Sequence, residues 1–285
     1  MRPSPSPIPL KRLVLATDLA SDAPDVFAQA LGLALRLRAE LYLVHVADTE
    51  APEASWATLP TVREVLERWG RLRPDASYEA FEQLGVRVHA VERRPTDGDV
   101  TAAVIRRVSA LHPDLLLLGT HQRTGLAQLL RGSVAETVSR GTLRSTLFLP
   151  TPVRPLVLPE TGAVALRRVL VPIAAGAELS PAFFVQLDRL AAQLTDGHVQ
   201  FVLLHVGTEG TLPEVPIPER ARWSWKVEVR RGDRATQILE AEVAHEVDLV
   251  AMATRGHDSL LDDLLGSVTE RVVRRTRCPV FAVPV

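Results

Sequence analysis

The chain carries two copies of one pattern. Residues 114–137 run Asp-Leu-Leu-Leu-Leu-Gly-Thr-His-Gln-Arg-Thr-Gly-Leu-Ala-Gln-Leu-Leu-Arg-Gly-Ser-Val-Ala-Glu-Thr, and residues 248–271 run Asp-Leu-Val-Ala-Met-Ala-Thr-Arg-Gly-His-Asp-Ser-Leu-Leu-Asp-Asp-Leu-Leu-Gly-Ser-Val-Thr-Glu-Arg. Asp114 aligns with Asp248, Gly132 with Gly266, Ser133 with Ser267 and Glu136 with Glu270 at one constant spacing. Two shorter echoes lie upstream: Arg12–Ala16 with Arg168–Pro172, and Leu43-Val44-His45-Val46 with Leu203-Leu204-His205-Val206. Segments that recur in the same order indicate a duplicated domain, and the period is too long for a solenoid. Any fold assigned to one half must therefore serve twice.

A length of 285 residues agrees with two domains, each able to bury its own core. The net charge of −1 argues against a nucleic-acid or anionic-membrane surface. Cys278 is the only cysteine, which excludes an intrachain disulfide and a cysteine-rich zinc site. No apolar stretch is long enough to span a bilayer. Residues 1–10, with alternating prolines, lack the apolar core of a signal peptide and are expected to form a mobile, extended tail. The cytoplasm is the expected compartment.

In the first half, residues 11–150, five short apolar runs read as strands: Arg12–Ala16, Glu40–Val46, Val86–Val91, Asp114–Gly119 and Thr146–Leu149. Helical spacing falls between them. Val26, Phe27, Ala30, Leu31, Ala34 and Leu35 share one face of Asp22–Arg38, while Pro60–Gly70, Ala76–Leu84, Asp97–Leu111 and Ser133–Arg140 are also expected to be helical. Strands alternating with helices imply parallel βαβ units, and near-continuous apolar strands imply helices on both faces. The expected fold class is α/β, with two tandem, doubly wound, parallel five-stranded sheets related by a pseudo-two-fold.

Pro150, Pro152, Pro155 and Pro159 mark the linker, residues 151–166, expected to be a semi-rigid spacer. The second domain, residues 167–285, repeats the pattern with strands at Arg168–Ile173, Val199–Val206, Trp225–Arg230, Asp248–Ala253 and Val280–Val283. The helix pair after its second strand is missing, and Pro213, Pro216 and Pro218 oppose a helix there. Trp223 and Trp225 either fill that gap or pack against the other half.

In a doubly wound sheet, ligands sit outside the carboxyl ends of the strands where strand order reverses. Gly119 ends the fourth strand, and Gly132-Ser133 is read as opening a helix after a polar loop. Free N–H groups and the positive dipole end at a helix start favour an anion such as phosphate. Ser133 and Ser267 suit both capping and phosphate contact, and ordinary strand–loop–helix capping would use the same residues.

Gly119-Thr-His-Gln-Arg-Thr-Gly-Leu with Gly132-Ser133-Val134-Ala135-Glu136 resembles the universal stress protein family. So do Ala253-Thr-Arg-Gly256 with Gly266-Ser267-Val268-Thr269-Glu270, Arg230-Arg231-Gly232-Asp233, and the closing Arg277-Cys278-Pro279-Val280-Phe281-Ala282-Val283. The resemblance implies the tandem form of that family, with Rossmann-like, adenine nucleotide alpha hydrolase-like domains. It also implies ATP as a ligand, with Mg2+ accompanying it. The implied binding residues are Thr17, Asp18, Val46, Gly119, His121, Gln122, Gly132, Ser133 and Val134 in the first half. In the second they are Val206, Arg255, Gly256, Gly266, Ser267 and Val268.

The ATP-binding branch has Gly-x-x-Gly, nine residues, then Gly-Ser or Gly-Thr, with an aspartate after the first strand and a valine after the second. Here Gln122 stands where the second glycine belongs, Ala253 replaces the first glycine of the second copy, and Ala174 stands where its aspartate belongs. A lost hydrogen bond to a carboxylate is worth about 1.5–3 kcal/mol, so the first half is the expected whole-nucleotide site. Among the other polar residues, His45 and His205 are read as structural. His121, His257, Arg123 and Arg255 either contact phosphate or are solvated. Asp258, Asp262 and Asp263 are read as a wet helix face, not a metal site, and Cys278 as buried and inert.

No nucleophile elbow, zincin motif or Walker phosphate loop occurs. The expected function is a non-enzymatic stress-response or signalling module that binds adenine nucleotide and an unidentified protein partner. The rivals are a nucleotide-free interaction module and, third, a weak ATP hydrolase or a protein that phosphorylates itself on Ser133 or Ser267. In the family the fifth strand pairs across a two-fold axis, so Thr146–Leu149 and Val280–Val283 are expected to pair within the chain as an internal pseudo-dimer. Association of two such chains into a homodimer is the further alternative.

Overall fold

A computed structural model describes residues 7–46, 56–93, 99–121, 128–151, 154–173, 181–211, 215–254 and 267–285, with the backbone alone at 93, 121, 128–133, 211 and 267. The first half runs β1 (Arg12–Ala16), α1 (Ala23–Leu37), β2 (Glu40–Val46), a 3-10 turn (Trp56–Thr58), α2 (Val62–Arg68), α3 (Tyr78–Glu82), β3 (Arg87–Arg93), α4 (Val100–Leu111), β4 (Leu115–His121), α5 (Gln128–Thr142) and β5 (Thr146–Thr151). The second half runs β6 (Arg168–Ile173), α6 (Pro181–Leu194), β7 (Val199–Val206), a 3-10 turn (Glu209–Thr211), β8 (Trp223–Arg230), α7 (Arg234–Ala244), β9 (Leu249–Thr254), α8 (Ser267–Val273) and β10 (Val280–Pro284). No helix among the described residues is long and apolar enough to cross a membrane.

The two expected sheets are joined into one ten-stranded sheet of order β3-β2-β1-β4-β5-β10-β9-β6-β7-β8. The join is antiparallel, with Val280 opposite Phe148, Phe281 opposite Leu147 and Ala282 opposite Thr146. Each half thereby covers an edge the other would leave open. Every residue of β5 is buried, as a central strand with layers on both faces requires. One core, on the α1 and α6 side, contains Phe27, Leu31, Phe183 and Phe281. The other lies under α4, α5, α7 and α8 and contains Val108, Val138, Ile238 and Val272. Both cores run through both halves.

The duplicated aspartates have one duty. Asp114 Oδ2 accepts from the amides of Lys11 and Arg12 at 2.9 and 3.0 Å. Asp248 Oδ2 accepts from those of Arg167 and Arg168 at 2.8 and 2.9 Å. Each carboxylate pins the start of its half's first strand beside the fourth.

Two expectations are settled by packing. Trp223 and Trp225 fill the gap of the second half: both rings lie on Phe201, with centroids at 4.7 and 4.3 Å. Val215 and Ile217 pack on the same core, and Pro218 accepts from the Trp225 indole at 3.1 Å. The linker is not a spacer. Leu156, Val157 and Leu166 are buried, and a bridge joins Val157 to Val164. Proline-rich composition predicts extension, but these apolar side chains gain more by covering α1 and α2.

Candidate functional site

Strand order reverses between β1 and β4 and again between β6 and β9, which places a crevice at the carboxyl end of each pair. In the first half the β1–β4 ladder runs from Leu13↔Leu115 to Ala16↔Leu118, so Thr17 and Asp18 emerge beside Gly119 and Thr120. In the second half the ladder comprises only Val169↔Leu249 and Leu170↔Val250. Pro172, which stands where Ala16 stands in the first copy, has no N–H to donate. The ladder between β6 and β9 is therefore shorter than the one between β1 and β4.

The turn after β1 is organised by its own side chains. Thr17 Oγ1 accepts from the Leu19 amide at 3.1 Å, and Asp18 Oδ1 accepts from the Ala20 amide at 3.0 Å. This lets Leu19 hold a φ of 56°. Asp18 stays exposed at the crevice rim. From β2, His45 Nδ1 donates to the Thr17 carbonyl at 3.0 Å, and His205 Nδ1 repeats the contact with Ile173 at 3.3 Å. A carbonyl only accepts, so Nδ1 carries the proton in both rings. The structural role expected of these histidines is what they perform.

Val46 is buried at the end of β2, and Val206 half-buried at the end of β7. Gly119 owes its lack of a side chain first to packing: a β-carbon there would lie 3.1 Å from Val26 Cγ2 of α1. Thr120 presents a different signal. Its residue is 8% exposed, and its hydroxyl is buried without a hydrogen-bond partner, at the mouth of the first crevice. Sequence reading missed Thr120, because threonine at a strand end is unremarkable until its partners are known.

The helix after β4 differs from expectation. It is already formed at Gln128, so Gly132 and Ser133 lie inside α5 instead of opening it. A helix-interior amide is engaged with the preceding turn and is not one of the free N–H groups of a helix start. Gln128-Leu-Leu-Arg131 are good helix formers, and one interior glycine costs only about 1 kcal/mol. Val134 is exposed on α5, and His121 closes β4 opposite Thr151. In the second half α8 is described from Ser267, and Val268 packs on the core. Gln122, Arg255, Gly256 and Gly266 lie outside the described residues.

Around the crevices, aspartates cap the helices that follow the edge strands. Asp99 accepts from the Ala102 amide at 2.9 Å, and Asp233 from the Thr236 amide at 3.0 Å. Asp233 also takes both ends of the Arg271 guanidinium at 2.7 and 2.9 Å, a pairing that holds its carboxyl far below the usual range. The Cys278 thiol is buried, which pushes its pKa up and leaves it unreactive. A groove of about 1200 Å3, lined by Arg12, Arg38, Arg87, His89 and Asp114 among others, lies at the amino ends of the strands. It stands at the opposite edge from both crevices. No cluster of three or more metal-ligating side chains occurs among the described residues.

A mostly parallel α/β sheet, duplicated and reversed twice in strand order, defines a tandem doubly wound α/β fold with its candidate sites at the carboxyl edge. The sequence pattern described as Universal stress protein family matches residues 9–148 and 219–284. The chain belongs to the universal stress protein family. A universal stress protein of Methanocaldococcus jannaschii is 26% identical over 147 residues, covering 50% of this chain and 83% of that one. The fold matches a universal stress protein from Archaeoglobus fulgidus across 96% of each chain, with a TM-score of 0.63 at 18% identity. A functionally unknown protein from Pseudomonas aeruginosa matches 96% of this chain and 92% of its own, with a TM-score of 0.63 at 10% identity.

Proposed function

We propose that this protein is a signalling module that binds an adenine nucleotide at the first crevice and uses it as a signal, not as fuel. The observation that carries the reading is the Thr120 hydroxyl, buried and unpartnered at the strand-order reversal. An unpaired buried hydroxyl costs stability, and a ligand that bonds to it recovers that cost. Asp18, exposed at the rim, offers a carboxylate to a ribose, and Val46 closes the side next to β2, where a base would lie. The second half is the poorer candidate. Ala174 replaces the carboxylate, and Pro172, with no N–H to donate, stands just beyond the shortened ladder.

A specific observation favours a second reading, a nucleotide-free interaction module: α5 is wound through Ser133, which removes that amide from a phosphate cradle. Nucleotide binding would then require the first turns of α5 to unwind. Labelled ATP titrated against the wild-type protein and Asp18→Ala decides between the two. Wild-type binding that weakens on the order of tenfold or more in the variant supports the first reading. Equal binding by both proteins, or binding by neither, rejects it. We place catalysis last: phosphate release above a buffer blank that vanishes in Gly132→Ala would be needed to bring it forward. The antiparallel β5–β10 seam supports reading one chain as the equivalent of a dimer, and scattering mass tests whether two chains associate further.

A further inference from the structure

The two helices that follow the candidate loops are tied to one arginine. Arg274, immediately after α8, donates through Nε and Nη2 to the two carboxylate oxygens of Glu136 on α5, at 3.0 and 3.1 Å. The same Nη2 also pairs with Glu270, four residues back in its own half. Glu136 lies three residues beyond Ser133, and Glu270 three beyond Ser267. One guanidinium therefore serves a carboxylate from each copy of the repeated Gly-Ser-Val-x-Glu segment, at the seam between the halves.

The arrangement is unequal. The Glu136 side chain is 4% exposed, against 32% for Glu270 and 31% for Arg274. Burial of Glu136 and the nearby Glu270 charge raise its pKa, and Arg274 opposes them. Glu136 thus depends on Arg274 far more than Glu270 does, because water can solvate Glu270 when it is released. On the other side, Arg271 of α8 is anchored to Asp233. Helix α8 is therefore held from two directions, by Arg271 to Asp233 and by Arg274 to Glu136.

We propose that Arg274 is a positioning residue that couples the two candidate ligand helices. A shift of α5 that loosens Glu136 frees Nη2 for Glu270 and tightens α8, and a shift of α8 acts in reverse. The identity of the ligand that produces such a shift rests on the nucleotide reading above; the coupling does not. Where both crevices take ligand, occupancy of one changes affinity at the other, and the effect is reciprocal.

Hydrogen exchange on the full chain tests this without ligand. Glu136→Gln lies in the first half, and the readout is the amides of residues 267–273 in the second, with the amides of β2 as the control for global stability. The expected result is a change of about fivefold or more in α8 exchange, the lower end of ordinary coupling, with β2 unchanged. Unchanged α8 exchange in Glu136→Gln, or an equal change in α8 and β2, overturns the proposal. ATP added to the wild-type protein supplies the second arm. If neither half takes up ATP, the nucleotide reading fails and the exchange result alone decides the coupling. If ATP binds and α8 exchange in Glu136→Gln still matches wild type, the coupling fails and the nucleotide reading stands.

Discussion

The indole N–H of Trp69 donates to the carbonyl of Pro159 at 2.8 Å, and the same ring occupies the space a β-carbon on Gly162 would need. That β-carbon would stand 2.4 Å from Trp69, and the φ of Gly162 is +65°. Side chain and backbone conformation both disfavour any other residue there. Gly162→Ala is expected to destabilise the protein by about 2–3 kcal/mol, from overpacking and a left-handed backbone together. Trp69→Phe keeps most of the packing but strands the carbonyl, at about 1 kcal/mol. Urea unfolding measures both, and a Gly162→Ala midpoint equal to wild type would show that residues 154–166 are loosely held.

Asp114 is pinned from three sides. Burial raises its pKa, but Arg189 from α6 at 2.7 Å and the amides of Lys11 and Arg12 outweigh that and set it below the ordinary aspartate value. A depressed folded value means that the contribution is present above the ordinary pKa and is lost as pH falls through the folded one. Asp114→Asn is expected to cost about 1 kcal/mol at neutral pH, after allowance for partial exposure. It should cost progressively less as the buffer is acidified below the carboxylate range. A cost independent of pH would mean that the charge on Asp114 contributes nothing.

How far the sequence can be read depends on which physics a residue obeys. Strands such as Leu115–Leu118 and Val280–Val283 were legible because burial on both faces leaves a run of apolar residues, and the β5–β10 seam followed from the family resemblance and the cost of open edges. The start of α5 was misread because Gly132-Ser133 looks like a helix opening, while the helix formers before it extend the helix back to Gln128. The linker was misread because proline content reports local stiffness and is silent on what Leu156 and Val157 pack against. Gly119 was singled out for a ligand, and its nearest constraint proved to be Val26. The Glu136–Arg274 pair left one trace: a glutamate with an arginine four residues on, repeated as Glu136/Arg140 and Glu270/Arg274. That spacing reads as an ordinary helical pair, and only tertiary structure sends Arg274 across the seam.

Arg274→Ala is expected to destabilise with a characteristic pH dependence. Burial raises the pKa of Glu136 above the ordinary glutamate value, so this group's contribution to stability falls as pH rises through the interval between the ordinary and folded values. Removing Arg274 deletes the groups that oppose the rise and moves the folded value higher. The cost is therefore small below the ordinary value, where Glu136 is neutral in both states, and grows to about 2 kcal/mol at neutral pH. That is less than for a fully buried pair, because Arg274 is partly exposed. Glu136→Gln in the Arg274→Ala background should remove most of the pH dependence. Denaturant midpoints across acid to neutral buffers check both, and a cost that shrinks with rising pH would contradict the assignment.

Thr120→Val separates a structural hydroxyl from one that awaits a ligand. The substitution keeps the shape of the side chain and deletes an oxygen that has no partner at the mouth of the crevice. Without ligand, removing an unsatisfied buried hydroxyl is expected to stabilise the fold by about 1 kcal/mol, an upward shift in Tm of about 2 °C. With nucleotide, the same change deletes a hydrogen bond and is expected to weaken labelled ATP binding about fivefold. Stability and affinity should thus move in opposite directions, as they do where a protein holds a polar group in readiness for function. A variant that is more stable and binds ATP as tightly as wild type would assign Thr120 to the fold alone. One that loses stability would show that its hydroxyl already has a partner in solution.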